Sequence, residues 1–525
     1  MRDEYDVVVA GAGHNSLVSA AYLAKAGFSC LVLESRPEVG GDTNTEALTL
    51  PGFRHDACST AHNLIQSSPL LTGDELGLGA YGLEYLHPDP VVHVPFPDGS
   101  WITQWQDERR TAEELARFSK RDADAYLRHL EGYASVAQLV NRYRYTPIGW
   151  GPSLSEMLAS HPQGNVWLRR QAMSAWEVIE DTFEDPHVRA FMLWMAFMTM
   201  QPPQRPGTGM LAYSLLYGRQ RHSWTLPRGG SGSLPAALAG FIEAHGGTIL
   251  TERRVTGLML EGGRCAGVEV HSGERFRARR AVLSTIHLKH LVEMAPAETW
   301  GEDFVHGVRT WRPGVSMFVT HYATSEPPRF ETAGDLESSA SGTPGSVERM
   351  LRVGPEFAAG RVQADDPVLL VLCQTVADPS RAPRGRHTLK VVGFQPYELP
   401  EGPERWDDIE AQVSDANLAQ LRRFAPNLTD DTVLARVIES PLGLERFNEH
   451  NWHGSCHGGD ASPAQTGALR PVPGWASHRT PIAGLYQTGA TTHPGGSVSA
   501  GPGRNAAMVM LRDLGSSLEE VVSRA

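Results

Sequence analysis

Two glycines and a carboxylate near the start of the chain have the spacing of a nucleotide-binding turn. The segment YDVVVAG (5–11) is a short β-branched run that predicts a buried parallel strand ending at Gly11. In such a turn the first glycine permits the tight bend, and the second, here Gly13, lets the backbone approach a pyrophosphate. Ser16 stands where a third glycine would allow the closest packing of helix on strand. Because its side chain is small, we expect only a modest packing penalty.

Glu34 strengthens this interpretation. It ends a second predicted strand, SCLVLE (29–34), and helical apolar spacing over residues 15–27 separates the two strands. At the end of the second strand of a βαβ unit, a carboxylate can accept hydrogen bonds from ribose hydroxyls. The pattern therefore predicts a dinucleotide site, although it does not distinguish FAD from NAD.

The segment that follows favours FAD. It reads ESRPEVGGDTNT (34–45) and resembles the second part of the FAD fingerprint in flavoproteins such as amine oxidases and phytoene desaturases. The resemblance implies that Gly40 and Gly41 let the chain pass close to the pyrophosphate and that Arg36 helps to neutralise it. Ser35, between Glu34 and Arg36, is included among the predicted cofactor-binding residues.

A glycine-rich turn near the C-terminus supplies a third candidate segment, GLYQTGATTHPGGSVSAGPGRNAAMVML (484–511). A strand is predicted to end at Gly489, and a helix to begin near Pro502, a residue suited to a first helical turn. The positive N-terminal end of such a helix would stabilise negative charge on a reduced flavin ring. The predicted cofactor-binding residues here are Gly489, Gly495, Gly496, Ser497 and Val498.

The whole chain resembles the phytoene desaturase-like flavoproteins, which include carotenoid desaturases, carotenoid isomerases and retinol saturases. The matching segments run in the family's order from GAGHNSLVSAAYLAKAG (11–27) through GFRHDACS (52–59) and LPRGGSGSLPAALAGFIEAHGGTI (226–249) to the C-terminal turn. The resemblance implies FAD as cofactor and places the backbone of Val255 beside the adenine. RGGSGS (228–233) could be taken for a second, NAD(P)-binding loop, but the resemblance assigns it to the flavin half.

The fold class that this resemblance implies is α/β, with a Rossmann-like FAD-binding domain, discontinuous in sequence, and an α+β substrate-binding domain. Residues 1–75, 222–290 and 470–525 are assigned to the FAD-binding domain, and residues 76–221 and 291–469 to the substrate-binding domain. Residues 325–366 are rich in Gly, Pro, Ser and acids and predict a long surface excursion.

The implied activity is a desaturase or dehydrogenase reaction that moves hydride between a C–H bond of a lipophilic small molecule and flavin N5. Methionine, tryptophan and phenylalanine residues at 191–200 and the segment WRPGVSMFV (311–319) are candidates for an apolar substrate tunnel, or for simple core. One alternative is a flavin amine oxidase, in which a lysine would lie behind the flavin; Lys289 and Lys390 come late enough in the chain. Another is an FAD-binding scaffold without turnover.

Three histidines are candidates for proton transfer. His493 lies in the turn expected beside the flavin ring, and His55 and His62 follow the FAD fingerprint. Imidazole is a common general acid or base. Each ring could equally be a hydrogen-bonded structural histidine.

Composition excludes several other classes. The formal net charge of −13 and the lack of a basic tract argue against a nucleic-acid partner. The five cysteines show no paired spacing, so no metal site or disulfide framework is predicted. The charged N-terminus and the short apolar run 190–200 predict no signal peptide or membrane span and a cytoplasmic location. Peripheral membrane contact through that run, a homo-oligomer, and oxygen or quinone as electron acceptor remain open.

Overall fold

The computed structural model describes residues 4–331 and 336–524. Its strands are β1 Glu4–Ala10, β2 Cys30–Leu33, β3 Thr45–Glu46, β4 His55–Asp56, β5 Tyr85–Leu86, β6 Val92–Pro95, β7 Trp101–Gln104, β8 Leu226–Pro227, β9 Thr248–Leu250, β10 Val255–Glu261, β11 Arg264–Val270, β12 Arg275–Ser284, β13 Ser316–Thr324, β14 Ala340–Thr343, β15 Leu369–Leu372, β16 His387–Gln395, β17 Val433–Glu439 and β18 Leu485–Gln487.

The α-helices are α1 His14–Lys25, α2 Pro69–Thr72, α3 Glu108–Ala116, α4 Lys120–Arg144, α5 Leu154–Ala159, α6 Gly164–Ala172, α7 Ala175–Thr182, α8 Pro186–Phe197, α9 Leu211–His222, α10 Ser233–Ala244, α11 Leu288–Leu291, α12 Ala297–Trp300, α13 Glu302–Arg309, α14 Val347–Ala358, α15 Trp406–Arg422, α16 Pro441–Phe447, α17 Gly501–Asp513 and α18 Leu518–Ser523.

The first large sheet has the strand order β10-β11-β12-β1-β2-β9, and β18 pairs with the end of β12. Its central pairs β12–β1, β1–β2 and β2–β9 are parallel, whereas β10–β11 and β11–β12 are antiparallel. The helices α1, α10 and α17 pack one apolar core against this sheet. The α/β class predicted from the sequence is confirmed, and the strand–helix–strand unit β1–α1–β2 is present with bounds within two residues of those expected.

The second large sheet has the order β17-β13-β16-β15-β14-β6-β7. It is antiparallel except for the β14–β6 pair. Helices α4, α8 and α9 and one face of this sheet form the largest apolar core. The first sheet draws its strands from residues 4–33, 248–284 and 485–487, and the second from 92–104 and 316–439. The domain boundaries given above stay a prediction.

The expected surface excursion over residues 325–366 is wrong for much of its length. Residues 332–335 lie outside the described residues, but β14 is buried between β15 and β6, and α14 follows it. The strand has the sequence ASGT, whose small residues suggest a loop. A Cβ on Gly342 would collide with the indole ring of Trp194, so the glycine allows a close contact between sheet and helix and does not mark a turn.

Most of the apolar run 190–200 is buried, and peripheral membrane contact stays a prediction. Every side chain from Ala190 to Phe197 in α8 is buried against the second sheet and its neighbouring helices. Among the described residues, no helix combines the length and the apolar character needed to cross a membrane.

Candidate functional site

A cavity of about 960 Å³ runs from the N-terminal turn of the first sheet to the face of the second sheet. The segments predicted to bind the cofactor meet on its wall: the cavity is lined by Gly11, Gly13, Glu34, Ser35, Arg36, Gly40, Gly41, Val255, Gly489, Gly495, Gly496, Ser497 and Val498. Of the predicted cofactor-binding residues, Ser16 alone is not part of the lining. Three segments far apart in sequence are therefore brought together on one cavity, and their contacts with the cofactor stay a prediction.

Gly11 makes the turn after β1 possible. Its φ is +94°, and a Cβ added there would lie 2.5 Å from Cγ2 of Thr285. Its N–H donates to the carbonyl of Leu33 at 2.8 Å, which fixes the turn to the end of β2. Helix α1 then begins at His14, and no side chain caps its first turn. Its free N–H groups beside the cavity form the kind of site that binds a phosphate anion.

The second glycine pair lies directly against this turn. Gly40 has a φ of +121°, and its N–H donates to the carbonyl of Ala12 at 2.8 Å. A Cβ on Gly41 would lie 3.5 Å from Cα of Gly13, and a Cβ on Gly40 would collide with the carbonyl of Thr43. Two backbone segments without side chains thus form one wall, which suits the close approach of a pyrophosphate.

Ser16 is accommodated by hydrogen bonding. Its side chain is fully buried, and its hydroxyl lies 2.6 Å from the carbonyl oxygen of Gly11 and 2.9 Å from that of Gly13. The serine hydroxyl is thus a donor for two carbonyls of the turn, and a glycine at this position would not supply it. It acts from behind the turn, away from the cavity.

Glu34 is held in place by the backbone around it. One carboxylate oxygen accepts from the N–H of Ala12 at 2.8 Å, and the other accepts from the N–H of Arg36 at 2.9 Å and from the hydroxyl of Ser35 at 3.0 Å. The carboxylate is therefore already fixed at the end of β2, on the cavity wall. Val255, at the start of β10, lines the same region.

Arg36 has partners of its own. Its guanidinium forms an ion pair with Glu46 at 2.6 Å and lies 3.9 Å from the ring centre of Phe447. Part of its charge is thus compensated within the protein. It still borders the cavity, so it can contribute to binding an anion there.

The C-terminal turn has the expected form. Gly489 follows β18 with a φ of +95°, and a Cβ there would lie 2.6 Å from Oγ1 of Thr285, the same threonine that packs on Gly11. Helix α17 begins at Gly501 with Pro502 in its first turn, as predicted, and it has no side-chain cap. The turn 494–498 lines the cavity and leads into the N-terminus of α17.

The three predicted catalytic histidines do not line the cavity. The Nε2 atom of His493 lies 3.1 Å from the carbonyl oxygen of Tyr143, so this nitrogen carries the proton and donates it. The ring of His62 lies between the hydroxyls of Tyr85 and Ser231, and Nε2 of His55 contacts the Thr49 hydroxyl. Burial lowers the pKa of His493 to about 3, that of His62 to about 3 and that of His55 to about 2. These rings are neutral at neutral pH and are engaged in structural hydrogen bonds. Their catalytic role stays a prediction.

Other histidines do reach the cavity. His450 and His457 line it, and burial lowers the pKa of each to about 4. His457 packs tightly against the C-terminal turn, because a Cβ on Gly496 would lie 2.5 Å from its Cα. Neither was singled out from the sequence, since both lie in a loop, 448–460, that carries no recognisable motif.

Lys390 also reaches the cavity, whereas Lys289 does not. The Lys390 ammonium group is buried and donates to the carbonyls of Asp56 at 3.1 Å, Ala57 at 3.0 Å and Cys58 at 2.6 Å. Burial lowers the pKa of Lys390. The lysine thereby joins β16 of the second sheet to the chain that follows the FAD fingerprint.

The opposite end of the cavity is apolar. Its wall comes from the second sheet and comprises Met317, Leu370, Leu372, Val392 and Phe394. Met198, from the predicted tunnel segment, also lines it. The cavity thus combines a glycine-lined, donor-rich end with an apolar end.

A family model described as flavin containing amine oxidoreductase matches residues 17–507. The chain belongs to this family. FAD is its cofactor, and the glycine-lined turns and uncapped helix N-termini described above fit that cofactor. The protein is therefore an FAD-dependent oxidoreductase of the amine oxidase family.

Individual relatives confirm the phytoene desaturase-like resemblance. The chain is 27% identical to pyridine nucleotide-disulfide oxidoreductase domain-containing protein 2 of Mus musculus, over 98% of this chain and 94% of the relative. It is 28% identical to a limonene dehydrogenase component of Castellaniella defragrans, over 98% and 95%. A phytoene desaturase (lycopene-forming) of Paracoccus is 24% identical over 97% and 98%. The crystal structure of an oxidoreductase from Methanosarcina mazei has the same fold, with a TM-score of 0.61 at 18% identity, over 96% of this chain and 99% of that one.

Proposed function

We propose that the protein is a dehydrogenase of the desaturase type, which moves hydride between a C–H bond of a lipophilic small molecule and the flavin. The observation that carries this proposal is the continuity of the cavity from the glycine-lined cofactor end to the apolar wall of the second sheet. An apolar wall binds a lipophilic substrate by removing its surface from water.

The cofactor-binding residues follow from the same geometry. Gly11, Gly13, Gly40 and Gly41 would leave room for the pyrophosphate, and the N-terminus of α1 would donate hydrogen bonds to it. Glu34, whose carboxylate already accepts from two backbone N–H groups, would bind the ribose hydroxyls. The C-terminal turn from Gly495 to Val498 would border the flavin ring.

When bound, FAD supplies the acceptor or donor of the hydride. The protein's part is to hold the reacting C–H bond at about 3–3.5 Å from that acceptor and to exclude water. The side chains of Leu370 and Val392 provide the apolar surface that can do both. The positive N-terminal end of α17, which follows the lining residues 494–498, would stabilise negative charge developing at the flavin end of the cavity.

Loss of a proton from the neighbouring carbon requires an acceptor in the cavity. His457 is suited to this role, because its pKa of about 4 keeps a ring nitrogen unprotonated at neutral pH. It lies next to Cys456 on the lining and packs against Gly496 of the C-terminal turn. We therefore assign proton acceptance to His457 in preference to His493, whose Nε2 proton is donated to a backbone carbonyl.

Two relatives support dehydrogenation by their names, a limonene dehydrogenase component and a phytoene desaturase. Amine oxidation is the second candidate, because the family model is named for amine oxidoreductases and Lys390 lies in the cavity. The buried guanidinium of Arg219 counts against it, since its positive charge would repel an ammonium substrate.

The test uses the purified holoprotein under anaerobic conditions. A panel of alkenes, cyclic ketones, acyl compounds and amines with matched carbon skeletons is added, and the flavin absorbance band is followed while mass spectrometry records the product. Dehydrogenation predicts that the band bleaches and that the product lacks two hydrogens. Bleaching by amines alone, with hydrogen peroxide released on admission of air, would establish the amine oxidase instead. A retained flavin that no compound bleaches would point to the scaffold.

A matched pair of variants connects turnover to the apolar wall. Leu370→Gln puts an amide on the apolar wall. We therefore expect KM for a lipophilic substrate to rise about tenfold, because the variant loses roughly the binding free energy of one buried leucine contact. Leu434→Gln makes the same exchange at an exposed leucine of β17 and should leave KM unchanged. Equal KM values in the two variants would place the substrate elsewhere.

A further inference from the structure

Arg219 is a buried arginine on the cavity wall. It lies on α9, one face of which lines the cavity through Leu211, Ser214, Leu215 and Arg219. Its side chain is only 3% exposed. A guanidinium group stays protonated in proteins, so a full positive charge is buried at this position.

The partners of Arg219 do not compensate that charge. One terminal nitrogen lies 2.8 Å from the sulfur of Met195, and the guanidinium lies 3.5 Å from the ring centre of Trp224. Its Nε has no hydrogen-bond partner, and no carboxylate among the described residues forms an ion pair with it. Thioether sulfur is a weak acceptor, so most of the five N–H donors of the group have no strong acceptor.

The other buried arginines of the described chain are compensated. Arg381 pairs with Asp56 at 3.0 Å, and Arg349 pairs with Glu356 at 2.9 Å. Arg470 donates to the carbonyls of Asp460, Gln465, His457 and Ala490. A buried charge without a partner is strongly unfavourable, which makes Arg219 an exception that needs a ligand to explain it.

A second unpaired donor lies at the same place. The indole Nε1 of Trp224 is buried without a hydrogen-bond partner, and Trp224 also lines the cavity. Two neighbouring side chains that both line the cavity thus each carry a buried donor without an acceptor. Met195, Leu216 and Trp224 belong to the core between the helices and the second sheet, whereas the turns that suit the pyrophosphate belong to the first sheet. The side chains of Arg219 and Trp224 are therefore on the substrate side of the cavity.

We propose that Arg219 binds a carboxylate group of the substrate, so that the substrate is an amphipathic acid with an apolar body. The planar fork of the guanidinium matches the two oxygens of a carboxylate, and the apolar wall accommodates the rest of the molecule. This inference rests on the proposed function, because it takes the apolar end of the cavity as the substrate site. The proposal predicts that the substrate carries a carboxylate and is not a neutral hydrocarbon.

Binding of two probes to the holoprotein tests the proposal without turnover. Decanoate and decan-1-ol share one chain length and differ in the head group. Both are titrated, below the concentration at which they aggregate, while the flavin absorbance spectrum and the heat of binding are recorded. Decanoate should bind at least about tenfold more tightly than decan-1-ol to the unaltered protein. Equal affinities would overturn the proposal.

Variants then assign the preference to one side chain. Arg219→Gln should reduce the ratio of the two affinities to near one, and Arg219→Lys should retain part of it, because it keeps the charge but loses the fork. Arg221→Gln, at an exposed position of the same helix, should keep the full ratio. If Arg219→Gln does not fold, the unaltered protein and Arg219→Lys still decide the result.

Three further results would bear separately on the acid site and on the dehydrogenase activity. An Arg219→Gln protein that is less stable but keeps the decanoate preference would show that Arg219 is purely structural, and would overturn the proposal. Preferential binding of decanoate without bleaching of the flavin by any compound would support the acid site and count against the dehydrogenase. Bleaching by neutral lipophiles together with equal affinities for the two probes would support the dehydrogenase and overturn the acid site.

Discussion

The hydroxyl of Ser16 lies 2.6 Å from the carbonyl oxygen of Gly11, across the turn in which a third glycine would be expected. The serine therefore stabilises the turn by a hydrogen bond at a position where glycine would only leave space. Its side chain is fully buried and does not line the cavity. The hydrogen bond of Ser16 thus compensates for the absence of a third glycine in the turn.

Replacing Ser16 by glycine should therefore lower the free energy of unfolding. Ser16→Ala loses the hydrogen bond and should cost about 1 kcal/mol of unfolding free energy. Ser16→Gly should cost about 1 kcal/mol more, because glycine destabilises a helix relative to alanine. Both variants should retain FAD, since the serine does not line the cavity. Chemical unfolding and the flavin content of the purified variants measure these effects. A Ser16→Gly protein more stable than Ser16→Ala would contradict the argument.

A comparison of Gly11 with Gly27 separates the effect of backbone strain from that of a steric collision when alanine replaces glycine. Their φ angles are +94° and +95°, but a Cβ on Gly11 meets Thr285 at 2.5 Å, whereas a Cβ on Gly27 meets nothing within 4 Å. Gly27→Ala should cost about 1–3 kcal/mol from the backbone alone and keep FAD. Gly11→Ala should in addition lower FAD affinity at least about tenfold, because the turn must move.

A double variant checks the cause of that loss. Gly11→Ala with Thr285→Ser removes the methyl group that the new Cβ would meet, and it should recover part of the FAD affinity. FAD affinity is measured by titrating the apoprotein and following flavin fluorescence. If Gly11→Ala and Gly27→Ala behaved alike, the collision with Thr285 would not matter.

The cofactor end of the site was readable from the sequence, because its signals are local. Gly11, Gly13 and Glu34 lie in one strand–helix–strand unit, where spacing alone fixes the geometry. The C-terminal turn carried a similar local signal in Pro502, which starts α17. The strand–turn–helix form of both segments needed no knowledge of the rest of the chain, whereas the assignment of the C-terminal turn to the flavin rested on the N-terminal fingerprint.

The substrate end was not readable, because its residues acquire their roles through distant contacts. Lys390 donates to Asp56, which is 334 positions away in the sequence. Arg219 lies in an ordinary helical segment, and only packing against Trp224 and Met195 makes it a buried, uncompensated charge. Gly342 resembled a turn residue and proved to accommodate a tryptophan. Long-range packing, and not local pattern, decides each of these cases.

His493 provides a test between catalytic and structural roles. Its pKa of about 3 lies below the value of about 6.5 expected in the unfolded chain. Between these values the unfolded state binds a proton that the folded state does not, so stability is lost as the pH falls from about 6.5 towards 3. In His493→Gln this dependence should become less steep by up to one proton, about 1.4 kcal/mol per pH unit.

The same variant should keep its activity. The glutamine amide can replace the hydrogen bond to the Tyr143 carbonyl, and the residue does not line the cavity, so the rate of flavin reduction should remain close to that of the unaltered protein. His306→Gln, at an exposed position of α13, is the matched control. Loss of flavin reduction by a folded His493→Gln protein with bound FAD would establish the catalytic role predicted from the sequence.

Lys390 should be essential for the junction between the second sheet and residues 56–58. Lys390→Met removes the donor to the carbonyls of Asp56, Ala57 and Cys58, and each buried acceptor left unpaired costs about 1–3 kcal/mol. The chain that follows is tied to the cofactor end, because the N–H of Ser59 donates to the carbonyl of Asp42 at 2.9 Å. We therefore expect a loss of at least about 3 kcal/mol in unfolding free energy and weaker retention of FAD.

Two further lysine variants make this expectation specific. Lys390→Gln keeps two N–H donors and should be intermediate in stability. Lys289→Met removes a partly exposed ammonium that donates to the single carbonyl of Arg309, so it should cost less than about 1 kcal/mol and leave FAD in place. Unfolding by denaturant, with the flavin content measured on the same samples, compares the three proteins. Equal stability of Lys390→Met and Lys289→Met would mean that the three carbonyls find other donors, and the role assigned to Lys390 would be wrong.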